Sequence, residues 1–207
     1  DISSTYGFVG PYSNSNDENF INDAWNNFDE WCLKKNIILE FIRFNPLLNN
    51  EKISHKNTKI EFNRDICISD LSKGLQYFEN KIPSKTKNMI RKAVKNNFLV
   101  KKKKFKDIKD EFIKIYNQTM IRNNANKFFI YDQKYFDKID QISNKKFYGV
   151  FIKDELIAGG IFFLNQNNAL YHLGASKKEY QQYGLSNLYM HEASIDMLEQ
   201  GVKYINL

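Results

Sequence analysis

Residues 171–207, YHLGASKKEYQQYGLSNLYMHEASIDMLEQGVKYINL, decide the fold. They follow Asn168-Ala-Leu and complete a strand over 168–176 that ends in the small residues Gly174, Ala175 and Ser176. A polar, aromatic-bearing connection fills 177–184. From 185 to 200 apolar residues recur at helical spacing, at Leu185, Leu188, Tyr189, Ala193, Ile195, Met197 and Leu198. Ser186 suits an N-cap, and Gly201 suits the position just past the helix. Residues 202–207 then begin another strand. Two strands joined through a crossover helix lie parallel in one sheet.

Upstream, 146–152 and 156–164 read as a hairpin around Lys153-Asp154-Glu155. With 168–176 they make a three-stranded meander. Residues 106–124 and 131–142 carry helical periodicity, and 98–105 (FLVKKKKF) reads as a strand. Residues 70–97 form two helical pieces broken at Pro83, the second capped by Ser84. Before them come strands over 58–69 and 37–44, and a helix over 17–36. The stripe Phe20, Ile21, Ala24, Trp25, Phe28, Trp31 of that helix is predicted to be core. Residues 1–16 are loop, with a short strand at 6–9. No internal repeat is visible.

The chain has 207 residues, enough for one large domain or two small ones. A hydrophobic share of 42% supports a core, and 15% aromatic residues favour sheet. No apolar run approaches the roughly 20 residues of a membrane span, and no signal peptide is visible. Asp1 is not an initiator and Leu207 lies inside an apparent strand, so both ends read as internal to a longer protein, truncated at its C-terminal side. The net charge of +7 is concentrated. Residues 81–109 hold 12 basic side chains and 1 acidic one, whereas 1–80 hold 8 and 12, and 110–207 hold 11 of each. Such a field attracts phosphates, on nucleic acid, on nucleotide-sugar diphosphates or at a membrane surface.

Familiar catalytic constellations are missing from the sequence. It has no P-loop, no G-x-G-x-x-G, no G-x-S-x-G and no H-E-x-x-H. Cys32 and Cys67 make no metal spacing and read as reduced thiols. His55, His172 and His191 are far apart, so no metal centre is expected. Period-2 alternation sets Tyr171 and His172 on opposite faces of their strand. His191 and Asn187 share a helix face and read as surface or helix-packing residues.

Four segments carry a resemblance: Tyr171-x-x-Gly174-Ala175-Ser176-x-x-x-Tyr180 with Gly201-x-x-Tyr204; Tyr6-Gly-Phe-Val-Gly-Pro11; Phe41-Ile-Arg-Phe-Asn-Pro-Leu-Leu48; and Lys85-Thr-Lys-Asn-Met-Ile-Arg91-Lys-Ala93. Their order and spacing resemble the Fem-type peptidoglycan aminoacyltransferases of the GNAT-like acyltransferase superfamily. Asn45 stands where that family would carry His. The resemblance implies an α+β, mixed-sheet GNAT-like domain over 70–207 and part of a second GNAT-like unit over 1–69. It implies an enzyme that moves an aminoacyl group from aminoacyl-tRNA to an amine of a lipid- or nucleotide-linked muropeptide or glycan precursor. That places it in the cytoplasm, at the inner face of the membrane, without a bound cofactor or metal.

Candidate catalytic residues are Tyr171, His172 and Ser176. The resemblance assigns phosphate and substrate binding to Tyr6, Arg43, Lys85, Arg91 and Tyr180. Two other readings stay open. Gln181-Gln-Tyr-Gly184-Leu-Ser186 distantly echoes the pyrophosphate loop of acyl-CoA-dependent N-acetyltransferases, which would make acyl-CoA the donor. The basic segment 81–109 alternatively suits a non-catalytic nucleic-acid-binding protein.

Overall fold

A computed structural model describes residues 1–4 and 7–207, which fall into two units, Asp1–Arg64 and Asp65–Leu207. Tyr6, one of the predicted substrate-binding residues, lies outside the described residues.

In the first unit, strand β1 (Ile2–Ser3) pairs in parallel with β2 (Glu40–Phe41), and helix α1 (Glu18–Lys34) connects them. The Asp17 carboxylate accepts from the Asn19 N–H, capping α1, and Glu18 sits favourably against the positive end of the helix. Of the strand predicted over 37–44 only two residues form a regular strand, and Phe44 adds a single parallel bridge to Val9. The aromatic stripe of α1 is not the expected core. No residue of α1 is buried, and Phe20 is 53% exposed. Trp25 instead anchors through Nε1 to the Ile53 carbonyl at 2.9 Å.

The second unit is built on a six-stranded sheet. Its strands are β3 (Ile68–Asp70), β4 (Leu99–Lys103), β5 (Lys145–Ile152), β6 (Glu155–Asn165), β7 (Asn168–Ser176) and β8 (Tyr204–Asn206), in spatial order β3-β8-β7-β6-β5-β4. Strands β4 to β7 pair antiparallel in succession, and β5 to β7 form the predicted meander. Helix α6 (Leu185–Glu199) crosses over to return β8 parallel to β7. Only the last part of the strand predicted over 58–69 forms, as β3, and it pairs with β8 at the sheet edge. The chain turns at Lys153, with φ 54°, to make the predicted hairpin.

Helices α2 (Leu75–Lys81), α3 (Ser84–Lys95) and α6 share one core cluster with the sheet, and α4 (Phe105–Arg122) and α5 (Gln133–Gln141) share the other. Pro83 is the last residue before α3, where its missing N–H costs no helical hydrogen bond. The central strand β6 is buried on both faces from Leu156 to Phe162, which explains its unbroken apolar run LIAGGIF. Phe112, Phe136 and Ile161 fill the α4–α5 side. Tyr189, Met197 and Phe162 fill the α6 side. Truncating one such buried phenylalanine to alanine costs about 3–5 kcal/mol. No helix among the described residues is long and apolar enough to cross a membrane.

Candidate active site

Strand β7 carries a bulge. Leu173 pairs with Ile161 and Tyr171 with Phe162, leaving His172 as the extra residue. A bulge re-aims the side chains around it. Tyr171 therefore packs toward α6, while His172 and Leu173 both face α4 and α5. The predicted separation of Tyr171 from His172 is realised.

Beyond the bulge the strand presents main chain. The Lys177 N–H donates to the Ile157 carbonyl at 2.9 Å, which makes Ser176 and Ala158 a non-hydrogen-bonded pair. The main-chain groups of Ser176 thus point away from β6. Helix α4 takes them. Thr119 Oγ1 accepts from the Ser176 N–H at 3.3 Å, and Arg122 Nη1 donates to its carbonyl at 3.1 Å. The Thr119 hydroxyl itself donates to the Ile115 carbonyl at 2.8 Å. At its other end β7 pairs with β8 as far as Leu170 and Asn206, and α4 occupies the β7 main-chain groups on that side at Ser176. Gly174, two residues before Ser176 and opposite Gly160, has the same alternation, so its N–H and C=O also point away from β6.

Two tyrosines lie beneath Gly174. A Cβ there would fall 1.6 Å from Tyr171 Oη and 2.5 Å from Tyr189 Oη. At Gly160 it would fall 2.8 Å from a Tyr189 ring carbon. The hydroxyls of Tyr171 and Tyr189 are hydrogen-bonded at 2.8 Å. Burial pushes both phenols above their ordinary pKa, so each keeps its proton. Two protons and one mutual bond leave one O–H able to donate elsewhere.

His172 is held on the other face. Its Nε2 is 2.7 Å from Tyr135 Oη, and its ring packs against Phe163. Burial lowers its pKa to about 4, so the imidazole is neutral near pH 7. Ser176 contributes its main chain; its hydroxyl has no hydrogen-bond partner among the described residues.

The connection after β7 is a 3-10 helix, Lys178–Tyr183, ending at Gly184 in the left-handed region. Met89 of α3 lies against Gly184, where a Cβ would meet its Cε at 2.6 Å. Lys92 reaches the Gln182 carbonyl at 2.9 Å. Lys85 lies on the same helical line as Met89 and Lys92 and is exposed. Arg91 sits nearly opposite Met89 on the helix, exposed, its Nη1 only 3.4 Å from Asn88 Oδ1. The structure does not bring Arg91 to the β7 edge. Tyr180 packs edge-on to Phe98, with ring centroids 6.0 Å apart, as part of the core margin. Ser84 begins α3 without a side-chain capping bond.

Arg43 belongs to the first unit, where its guanidinium lies 4.8 Å from the Phe41 ring centroid. Buried Asn50 ties two quoted segments together there. Its Nδ2 donates to the Val9 and Pro11 carbonyls, and its Oδ1 accepts from the Asn45 N–H at 2.8 Å. Asn45 Nδ2 donates to the Phe8 carbonyl at 3.3 Å.

Sequence reasoning missed Thr119, Arg122 and Tyr189. They lie 57, 54 and 18 positions from their β7 partners, and nothing in the local pattern distinguishes them from ordinary helix residues. Arg122 has one further neighbour. The Gln181 amide oxygen accepts from its Nε at 3.0 Å and its Nη2 at 3.3 Å, in the amide orientation both groups require.

No known protein-family profile matches the chain, and no curated protein matches it in sequence. Solved structures do match in fold. FemX superposes with a TM-score of 0.61 over 78% of this chain and 58% of its own, at 13% identity. The C-terminal DUF2156 domain of a protein named as a lysylphosphatidylglycerol synthetase, from Agrobacterium fabrum, gives 0.54 over 69% and 45%, also at 13%. The chain spans about half the length of each. The chain thus shares the GNAT-like fold of FemX.

Proposed function

We propose that this chain is part of an acyltransferase that moves an aminoacyl group from aminoacyl-tRNA to an amine on a cell-wall or surface-glycan precursor. The observation that carries this reading is the capture of the Ser176 main chain by Thr119 and Arg122. It takes the Ser176 main-chain groups that point away from β6, so no further strand pairs with β7 there, and it leaves the Gly174 N–H and C=O on that same side. The shared fold with FemX and the lysylphosphatidylglycerol synthetase domain supports it, as do the Fem-like segments.

In the proposed reaction the donor's ester carbonyl lies along the Gly174 edge. The acceptor nitrogen attacks the carbonyl carbon, forming the C–N bond and an oxyanion. The Gly174 N–H and the spare O–H of the Tyr171–Tyr189 pair donate to that oxygen. Collapse breaks the ester C–O bond, and the departing ribose oxygen takes the proton the amine gives up. Holding amine and ester together supplies much of the rate, so few ionisable groups are needed. Lys85, exposed on the helical line of Met89 and Lys92, and Lys92, on the Gln182 carbonyl, are the cations proposed to meet a substrate phosphate.

The test is a transfer assay on the purified protein with labelled aminoacyl-tRNA or acyl-CoA and a muropeptide amine. Label on the amine from aminoacyl-tRNA supports the reading. Turnover with acyl-CoA alone moves the chain to the N-acetyltransferases, and no transfer from either donor refutes it.

A further inference from the structure

A second feature lies near the far corner of the sheet. The end of β4, the start of α4 and the start of β5 enclose a cleft of about 490 Å³. Six lysines line it, Lys102, Lys103, Lys104, Lys106, Lys145 and Lys146. Counter-charge is scarce. Lys102 and Lys146 share the single carboxylate of Asp196, and Lys145 pairs with Asp140 at 3.4 Å. Lys103, Lys104 and Lys106 have no carboxylate partner among the described residues.

Structural roles explain only part of this. Lysines on the edge strand β4 discourage edge-to-edge pairing. That role does not cover Lys104 and Lys106, which stand at the start of α4, where the helix dipole disfavours cations. Nor does it cover Lys145 and Lys146, on the interior strand β5, whose side chains are only 15% and 26% exposed. Cations gathered in a hollow against local preference are a cost that a bound polyanion relieves.

We propose that this cleft is a docking site for the phosphodiester backbone of RNA. Lys103, Lys104, Lys106 and Lys145 come from three chain segments onto one concave surface beside Phe105 and Phe147, while the Lys102 and Lys146 ammonium groups turn to Asp196 of α6 on the other face. A concave row of cations suits a strand of successive phosphates better than a flat bilayer. Strand β4 stands three strand spacings from β7, about 14 Å. An RNA seated here therefore lies within reach of the β7 edge. The binding itself does not depend on transfer at that edge, so the two readings fail separately.

The test measures binding of fluorescein-labelled bulk tRNA, and of phosphatidylglycerol vesicles, across a salt series. The variant Lys103→Gln/Lys104→Gln/Lys106→Gln is compared with Lys114→Gln/Lys134→Gln/Lys138→Gln, which removes equal charge from exposed positions outside the cleft. Circular dichroism checks that both fold. The cleft variant is expected to bind tRNA at least about tenfold more weakly, with the slope of log K against log salt reduced by about 2, while the other triple stays within about twofold. Equal losses in the two variants overturn the proposal. So does tRNA binding unchanged in the cleft variant, including the case where only vesicle binding is lost.

Discussion

The hydroxyl oxygens of Tyr171 and Tyr189 meet at 2.8 Å in space that a side chain at Gly174 would otherwise occupy. One strand residue and one helix residue thus depend on a third position having no Cβ. That dependence couples the glycine in the β7 edge to the only phenol pair beneath it among the described residues.

Gly174→Ala should destabilise the protein by about 1–3 kcal/mol, the range for forced overpacking. Tyr171→Phe removes the atom 1.6 Å from the new methyl. The double variant should therefore be less destabilised than the sum of the two single changes. Chemical denaturation of all four proteins measures the coupling, and strict additivity would show that the two residues do not compete for this space.

His172 should set a pH dependence of stability. Its folded pKa, about 4, is below the unfolded value of about 6.5, so the unfolded chain binds a proton that the folded chain refuses. Stability is complete above about pH 6.5 and falls as pH drops from there towards 4. Allowing for the solvent that reaches the ring, the loss is about 2 kcal/mol at pH 4. His172→Gln should flatten this limb of the curve in pH-dependent unfolding.

Removing the Thr119 hydroxyl should loosen the β7 edge. Thr119→Val takes away the acceptor of the Ser176 N–H, at a cost of about 1 kcal/mol. Hydrogen exchange at Ser176 should accelerate in this variant more than at Ala175, whose ladder partner on β6 is untouched.

Asp196 should prove structural. Its carboxylate accepts from Tyr148 Oη at 2.6 Å and pairs with Lys102 and Lys146. Burial raises its pKa, but the bonds from Lys102 and Tyr148 outweigh it, and the net effect is a lowered value. Its contribution is therefore present at neutral pH and is lost as pH falls below about 4. Asp196→Ala strands the buried Tyr148 hydroxyl and should cost about 2–3 kcal/mol, with Asp196→Asn costing less because its oxygen still accepts. Thermal unfolding of the two variants distinguishes these outcomes.

The second unit was legible where local pattern and tertiary packing agree. Helical spacing over 185–200 and the break at Pro83 became α6 and the α2–α3 junction. The N-cap moved from Ser186 to Gly184, whose positive φ lets the chain turn directly into the helix. In the first unit the pattern misled. Phe20 and Trp31 have core spacing, yet nothing among the described residues of that unit buries them. At the site, Tyr171 and His172 were visible from alternation, although the bulge that separates Leu173 from Tyr171 was not. Arg91 drew attention as a cation in a family-like segment, but periodicity along α3 turns it outward. Thr119 and Arg122 became visible only once α4 was laid against the end of β7.

The central claim is that a donor's carbonyl rests on the β7 edge at Gly174. Amide chemical-shift mapping of the labelled protein with a non-hydrolysable aminoacyl-adenosine analogue tests it most directly. The account predicts saturable shifts at Gly174, Ala175 and Ser176, reduced in Thr119→Val. Shifts confined to other surfaces, with the Gly174 amide unmoved at saturation, would contradict it.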